Sequence, residues 1–390
     1  MIPYGKHHID EEDVRAVVDV LRGGVLTQGP YVEAFEKAVA EYVGAKYAVA
    51  VSSGTAGLHL AALVAGVGTG KSLITSPITF IASANAGLYA GGDVFFADID
   101  SETINMSPLS LKKALEDRPC SKAVVPVHFA GLPCDMPAIK SLSDAAGATL
   151  IEDAAHALGS TYTNGRRVGC CEFSSMTVFS FHPVKLIAAG EGGMITTNDE
   201  VIYRKLLRLR SHGINKLDDP FQLTDQSKTN GLINPWYYEM QDLGFHYRIT
   251  DIQSALALSQ IKKIDKFLDK RLELACKYDR GFTGMKNCRP FQSLQRSQSA
   301  HHLYILQIDF DSIAFSRVEL MQHLKLRNIG TQVHYLPVPA HPYYRRLGHI
   351  PENYPSAQKY YQEALSIPLF YDLNDEQQCG VISAFEELVG

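Results

Sequence analysis

The residues best suited to chemistry fall in one stretch, from Phe179 to Thr196. A lysine, Lys185, stands there with a hydroxyl (Ser180), an imidazole (His182) and the run Gly190-Glu-Gly-Gly193. Two apolar segments flank it, Met176-Thr-Val-Phe-Ser-Phe181 and Gly193-Met-Ile-Thr-Thr197, and both read as buried strands. A lysine on a tight connection between two such strands loses part of its solvation. That lowers its pKa and prepares the amine to form a Schiff base. Taken alone, such a lysine is more often a solvated loop charge; the rest of the chain shifts the balance.

Three further groups suit the same chemistry. The short apolar strand Tyr47-Ala-Val-Ala-Val51 runs into Ser52-Ser-Gly-Thr-Ala-Gly57 and then a helical run from Leu58. Free N–H groups at a helix start beside small residues bind a phosphate, although a simple capped helix start fits the same letters. Neither Gly-x-Gly-x-x-Gly nor the Walker lysine pattern is present. A carboxylate, Asp153, ends the strand that begins at Ala148. Lys185, Asp153, Ser180 and the helix start at Thr55-Ala56 together supply what pyridoxal 5′-phosphate needs: an amine for its aldehyde, a carboxylate that keeps the ring nitrogen protonated, and donors for its phosphate. Phe80 can stack on such a ring, and His156 can touch it or its 3′ oxygen. Each also reads as an ordinary core residue.

These positions need a scaffold that brings strand ends together. Strands near 72–75, 94–97, 122–128 and 148–151 alternate with helices near 80–89, 108–116 and 136–145. Such repeats predict an α/β fold with a mostly parallel sheet covered on both faces, and ligands then gather at the carboxyl ends of the strands. Helices are also expected from Asp10 and from Pro30 to Tyr42, and an extended loop over 216–241. A long helix from Thr250 leads to a second, smaller region with strands at 303–308 and 331–335 and helices at 317–327, 355–365 and 375–388. We therefore expect a large cofactor-binding domain over 1–249 and a small C-terminal domain over 250–390.

Composition excludes several classes. The chain has 390 residues, 46% hydrophobic and 20% charged, with 37 basic against 42 acidic side chains and a net charge of −5. No basic tract suggests nucleic acid, and no apolar run approaches the roughly 18 residues of a membrane span. The seven cysteines are odd in number with no Cys-x-x-Cys pair, which suits free thiols in a cytoplasmic protein. The His-His pairs at 7–8 and 301–302 lack partners for a metal site, so none is expected.

The ordered motifs Leu26-Thr-Gln-Gly29, Ser53-Gly-Thr-Ala56, Glu152-Asp-Ala-Ala-His156, Ser180-Phe-His-Pro-Val-Lys185, Gly190-Glu-Gly-Gly193 and Tyr247-Arg-Ile-Thr-Asp251 resemble the DegT/DnrJ/EryC1/StrS family of sugar aminotransferases over nearly the whole chain. The resemblance implies the type I pyridoxal-phosphate aminotransferase fold, with a mostly parallel seven-stranded sheet, a smaller α/β domain, and a homodimer with sites at its interface. It puts Lys185 in the catalytic role, with Thr55, Ala56, Phe80, Asp153, His156 and Ser180 on the cofactor and Arg248 on its phosphate. Lys6, Thr27, His182 and His334 are the substrate-side candidates, each with an ordinary surface reading as well. The run from Trp236 to Asp251 is most similar to members that aminate C4 of a UDP-linked 4-keto-6-deoxy-N-acetylhexosamine for pseudaminic acid, with L-glutamate as donor and pyridoxamine phosphate as the intermediate cofactor form. Two departures stand out: Ala188-Ala189, where family members often carry threonine, and His246, where many carry asparagine. The rival readings are a dehydratase, which in this family replaces the lysine with histidine, and a cofactor-binding regulator without activity.

Overall fold

The computed structural model describes residues 1–216 and 219–390. Seven short apolar runs form its main sheet: β1 (Tyr47–Val51), β2 (Ser72–Thr75), β3 (Asp93–Phe96), β4 (Ser121–Val125), β5 (Thr149–Asp153), β6 (Met176–Ser180) and β7 (Gly193–Thr197). They lie in the order β1-β7-β6-β5-β4-β2-β3, and β7 alone runs against its neighbours. This is the mostly parallel sheet that the alternating pattern predicts, with the seven strands that the family resemblance implies. Strands covered on both faces have no solvated side to alternate with, so they read as continuous apolar runs.

The covering helices are α1 (Glu11–Gly23), α2 (Pro30–Val43), α3 (Gly54–Val64), α4 (Ala82–Tyr89), α5 (Pro108–Asp117), α6 (Met136–Ala145) and α7 (Glu200–Arg210). Phe35 and Val39 of α2, Leu111 of α5 and Ile139 of α6 bury against one face of the sheet. Leu58 and Leu60 of α3, Ala84 of α4 and Leu206 of α7 bury against the other. Most helix starts carry their own signals. Asp10 accepts from the Asp13 amide while Asp13 accepts from that of Asp10, a closed capping box that opens α1.

The helix expected from Thr250 is two helices, α8 (Asp251–Ile261) and α9 (Ile264–Phe282), broken at Lys262-Lys263. Asp251, fully buried, accepts from the amides of Gly29 (2.8 Å) and Tyr31 (3.0 Å). One carboxylate thus caps α2 and anchors α8 to it. Beyond α9 a smaller antiparallel sheet forms in the order β8 (Cys288–Pro290), β9 (Tyr304–Ile308), β10 (Ala364–Ile367), with α10 (Arg317–Leu326), α11 (Pro355–Glu363) and α12 (Asp375–Leu388) around it.

Three expectations need correction. No strand covers 331–335: only Gln332 pairs, with Ser366, before the chain leaves the sheet edge. The helix from Pro355 stops at Glu363, because the buried run Ala364–Ile367 pairs with β9 instead. In the stretch 216–241, expected as an extended loop, Lys228–Thr229 pairs with Leu232–Ile233 and Glu239–Met240 pairs with Ile214–Asn215 just before it, while Leu217 and Asp218 lie outside the described residues.

Candidate active site

The hairpin between β6 and β7 presents the lysine. Ser180 and Gly193 are the last paired residues of the ladder, and the connection is then pinned by Phe181 N–H to Gly192 O (2.9 Å) and Ala189 N–H to Phe181 O (2.8 Å). Leu186 to Ala189 are buried, so the loop is anchored from below while Lys185 turns toward open space. Burial lowers its amine from 10.5 to about 8, against the pull of the Asp153 charge, which raises it. The solvated-loop reading of Lys185 therefore gives way to that of a partly desolvated amine.

Asp153 is held from several sides. Its peptide group bridges to the continuation of β4, donating to Pro126 O (2.9 Å) and accepting from His128 N–H (3.0 Å). Its side chain accepts from Ser83 Oγ (2.5 Å) and from the Ala155 amide (3.1 Å). Burial pushes this carboxyl up, and the Ser83 bond, the Ala155 amide and the charge on Lys185 oppose that. Immediately behind it, fully buried Glu152 accepts from His128 Nε2 (2.7 Å), Tyr162 (2.5 Å), Ser174 (2.5 Å) and Thr177 (3.2 Å). The Cys134 amide donates to His128 Nδ1 (3.1 Å), which leaves Nε2–H to donate to Glu152. Burial raises the Glu152 carboxyl, but the His128, Ser174 and Tyr162 bonds outweigh it and leave the group below the usual carboxylate range.

The start of α3 meets the hairpin through two glycines. A Cβ on Gly54 would lie 3.0 Å from that of Ser180, and one on Gly193 would lie 2.5 Å from the carbonyl of Ser53 and 2.7 Å from the Gly54 nitrogen. Only bare glycine lets the Ser180 hydroxyl and the helix start share one concavity. The Ser53 hydroxyl takes the Ala56 amide (3.1 Å), whereas those of Gly54 and Thr55 have no partner among the described residues. Of the Thr55-Ala56 pair, Thr55 is thus the one with its amide free for an anion.

A cavity of about 570 Å³ joins these parts. Thr55, Ser180, Lys185 and Asp153 line it, as do Phe80, His156, His182 and His334. The Ala130 amide donates to His156 Nδ1 (3.3 Å), which puts the ring proton on Nε2, 3.4 Å from the Tyr335 hydroxyl. Burial, then the charge on Lys185, holds His156 and His334 well below ordinary histidine, His334 to about 3. Four predicted residues do not line this cavity, Ala56 among them, its amide taken by the Ser53 hydroxyl. Lys6 lines a separate void of about 10 Å³ beyond Lys185, exposed Thr27 bridges Thr250, and Arg248 is half-buried elsewhere. Sequence reasoning missed Ser83, three positions after Phe80 on the same helix start. It also missed Tyr335, Tyr4 and Gln332, and His302, which had been weighed only as part of a metal pair.

The cavity fits the cofactor on its own terms. Phe80, 55% exposed, lines it with no ring stacked on it among the described residues, only Tyr335 meeting it at a tilt, and the same cavity holds the buried carboxylate and the desolvated amine. The glycine cradle at one end has free amides for a phosphate.

The DegT/DnrJ/EryC1/StrS aminotransferase family matches residues 7–386. The chain is a member of that family. It is 40% identical over 391 aligned positions to the spore coat polysaccharide biosynthesis protein SpsC of Bacillus subtilis, covering 100% of this chain and 97% of that one. Its fold superposes with a TM-score of 0.88 on Helicobacter pylori PseC, an aminotransferase of pseudaminic acid biosynthesis, at 32% identity and with 100% and 99% of the two chains covered. Spr1654 of Streptococcus pneumoniae in its PLP form gives 0.88 at 28% identity over 99% and 98%. This family member is a pyridoxal-phosphate-dependent sugar aminotransferase with the type I fold. Among the described residues, no helix is long and apolar enough to cross a membrane and no cluster of His, Cys, Asp or Glu has the makings of a metal site.

Proposed function

We propose that the chain transfers the amino group of L-glutamate to C4 of a UDP-linked 4-keto-6-deoxy-N-acetylhexosamine, the amination of the pseudaminic acid route. The observation that carries the proposal is the convergence of Lys185, Asp153, Ser180 and the open face of Phe80 on one cavity. Likeness to PseC over the whole chain supports the sugar. Bound pyridoxal phosphate supplies a protonated ring that withdraws electrons from the carbon bearing nitrogen.

The side chains divide the remaining work. Asp153, fixed by Ser83, would hold the positive end of the ring, and Phe80 would stack on it. Thr55, Ser180 and the α3 amides bind the phosphate, with Ala56 behind them. Lys185 Nζ would take the α-proton of L-glutamate and, in the reverse half, give a proton to C4 of the sugar. His156 Nε2–H would donate to an oxygen on the ring. His182 and His334 serve the substrate side of the cavity. We extend the proposal to a cytoplasmic homodimer in which Lys6, Thr27 and Arg248, outside the cavity of one protomer, act across the interface; exposed Leu21, Val25, Leu26 and Trp236 suit such a contact. The division into 1–249 and 250–390 belongs to the same reading.

A second sugar is favoured by one specific finding: the 40% identity to SpsC points to another nucleotide-linked keto sugar of surface polysaccharide synthesis. Incubating the cofactor-loaded protein with L-glutamate and a panel of nucleotide-linked keto sugars, read by mass spectrometry, tests both. Amination of the UDP-linked 4-keto sugar supports the first reading, and its rejection beside turnover of another sugar replaces it.

A further inference from the structure

His302 lines the cavity from a distant part of the sequence. It lies in the segment 299–303 that leads into β9, 117 positions from Lys185. Its backbone is tied at both ends: its N–H donates to Ala130 O at 2.9 Å, and its carbonyl accepts from Arg271 Nη1 at 3.4 Å. The side chain is left few choices. The ring packs against that of His156, with centroids 4.3 Å apart, and its Nε2 lies 3.4 Å from Lys185 Nζ. The residue is 5% exposed, and Nδ1 is buried with no hydrogen-bond partner among the described residues.

A residue kept only to fill this space would not need an imidazole, since an orphaned buried nitrogen costs free energy that an apolar side chain avoids. The titratable and charged groups facing the ring are His156, Lys185, Arg271 and His334, all of them cationic or neutral. Burial and that company keep the imidazole uncharged, so it retains one nitrogen with a free lone pair.

We propose that His302 is a positioning residue for Lys185, accepting at Nε2 a hydrogen bond from the lysine amine whenever the amine is not covalently engaged. The contact turns one N–H of Nζ toward the ring and so turns its lone pair into the cavity. His302 gains and loses no proton; the proton that Nζ collects from the amino donor is the one it later hands on. The inference rests on the reading of Lys185 as the cofactor's lysine.

The test compares wild type with His302→Gln, which restores an acceptor oxygen near the place of Nε2, and His302→Leu, which keeps bulk without one. In cofactor-free protein, the pH profile of Lys185 acylation by a small uncharged reagent is read by peptide mass spectrometry. Removing an acceptor that favours the ammonium form shifts the Leu profile to lower pH, while Gln stays near wild type. In loaded protein, the bleaching of the visible band by L-glutamate and by its 2-deuterated form isolates proton removal. Leu slows the deuterium-sensitive step by roughly 10- to 100-fold with little change in the glutamate concentration giving half-maximal rate, and Gln stays within about threefold. A Leu variant within about twofold of wild type, or Leu and Gln impaired alike, overturns the proposal. If pyridoxal phosphate fails to protect Lys185 of wild type from acylation, the reading of the lysine falls and this proposal falls with it.

Discussion

Lys185 carries the most direct quantitative consequence. Its amine titrates at about 8 instead of 10.5, because burial disfavours the ammonium form more than the Asp153 charge supports it. At pH 7 a group titrating near 8 is neutral in about one molecule in eleven, against roughly one in three thousand near 10.5, a gain of about 300-fold in reactive amine. The perturbation is pH itself, and the assay is the acylation rate of Lys185 in cofactor-free protein. The rate should climb about tenfold per unit up to pH 8 and level off by about pH 9. Asp153→Asn provides the sign. Because the Asp153 charge raises the lysine pKa, removing it should move the profile to lower pH. A wild-type rate still rising tenfold per unit through about pH 10 would refute the argument, since that is how a solvated lysine behaves.

Two other predictions follow from the groups around the cavity. Glu152→Ala leaves the buried donors of His128 and Tyr162 without an acceptor, at a cost of about 2–6 kcal/mol by chemical denaturation. Glu152→Gln keeps an oxygen for those two while the Ser174 and Thr177 hydroxyls rotate to accept, so it should cost much less. The wild-type carboxyl lies below its unfolded value, so its stabilisation is present above the usual carboxylate pKa and drains away as the pH falls through the folded one. The Gln variant should lack that acid-side loss, and equal acid sensitivity in the two proteins would count against the ionised Glu152 described above. In the cradle, Gly193→Ala drives a methyl into the Ser53 carbonyl and the Gly54 nitrogen. The displaced helix start should weaken pyridoxal phosphate binding by roughly tenfold or more, measured by titrating the visible band; unchanged affinity would mean that the α3 amides do not hold the phosphate.

Much of this molecule is local in origin and could be read before any fold was known. The strand Met176–Ser180 and its partner Gly193–Thr197 are apolar runs ended by their own small residues, and α1 opens on a capping box closed within four positions. Lys185, Ser180 and Gly193 are close in the chain, and a single hairpin holds them together. Asp153 and Thr55 could be added because both end or follow strands of one parallel sheet, and topology alone sends such ends to the same side.

Other features depended on contacts that no window of sequence contains. Ser83 reaches Asp153 across 70 positions, and His302 reaches Lys185 across 117. A serine near a helix start, or one histidine of a pair, has many equally good local explanations. The alternation in 331–335 promised a strand, yet only Gln332 finds a backbone partner at the edge of the small sheet, while His334 turns to Ser366 (2.8 Å) and Tyr335 to the cavity. Ala364 and Leu365 read locally as the tail of a helix, yet β9 offers them a ladder. Sequence by itself determined most of the element types and put Lys185 on a tight connection between two buried strands, because caps, apolar periods and glycines act over a few residues, and its ordered motifs carried the resemblance to the aminotransferase family. The tertiary structure decided which distant donors and acceptors surround that lysine, because a buried polar group takes whichever partner packing brings within hydrogen-bond reach.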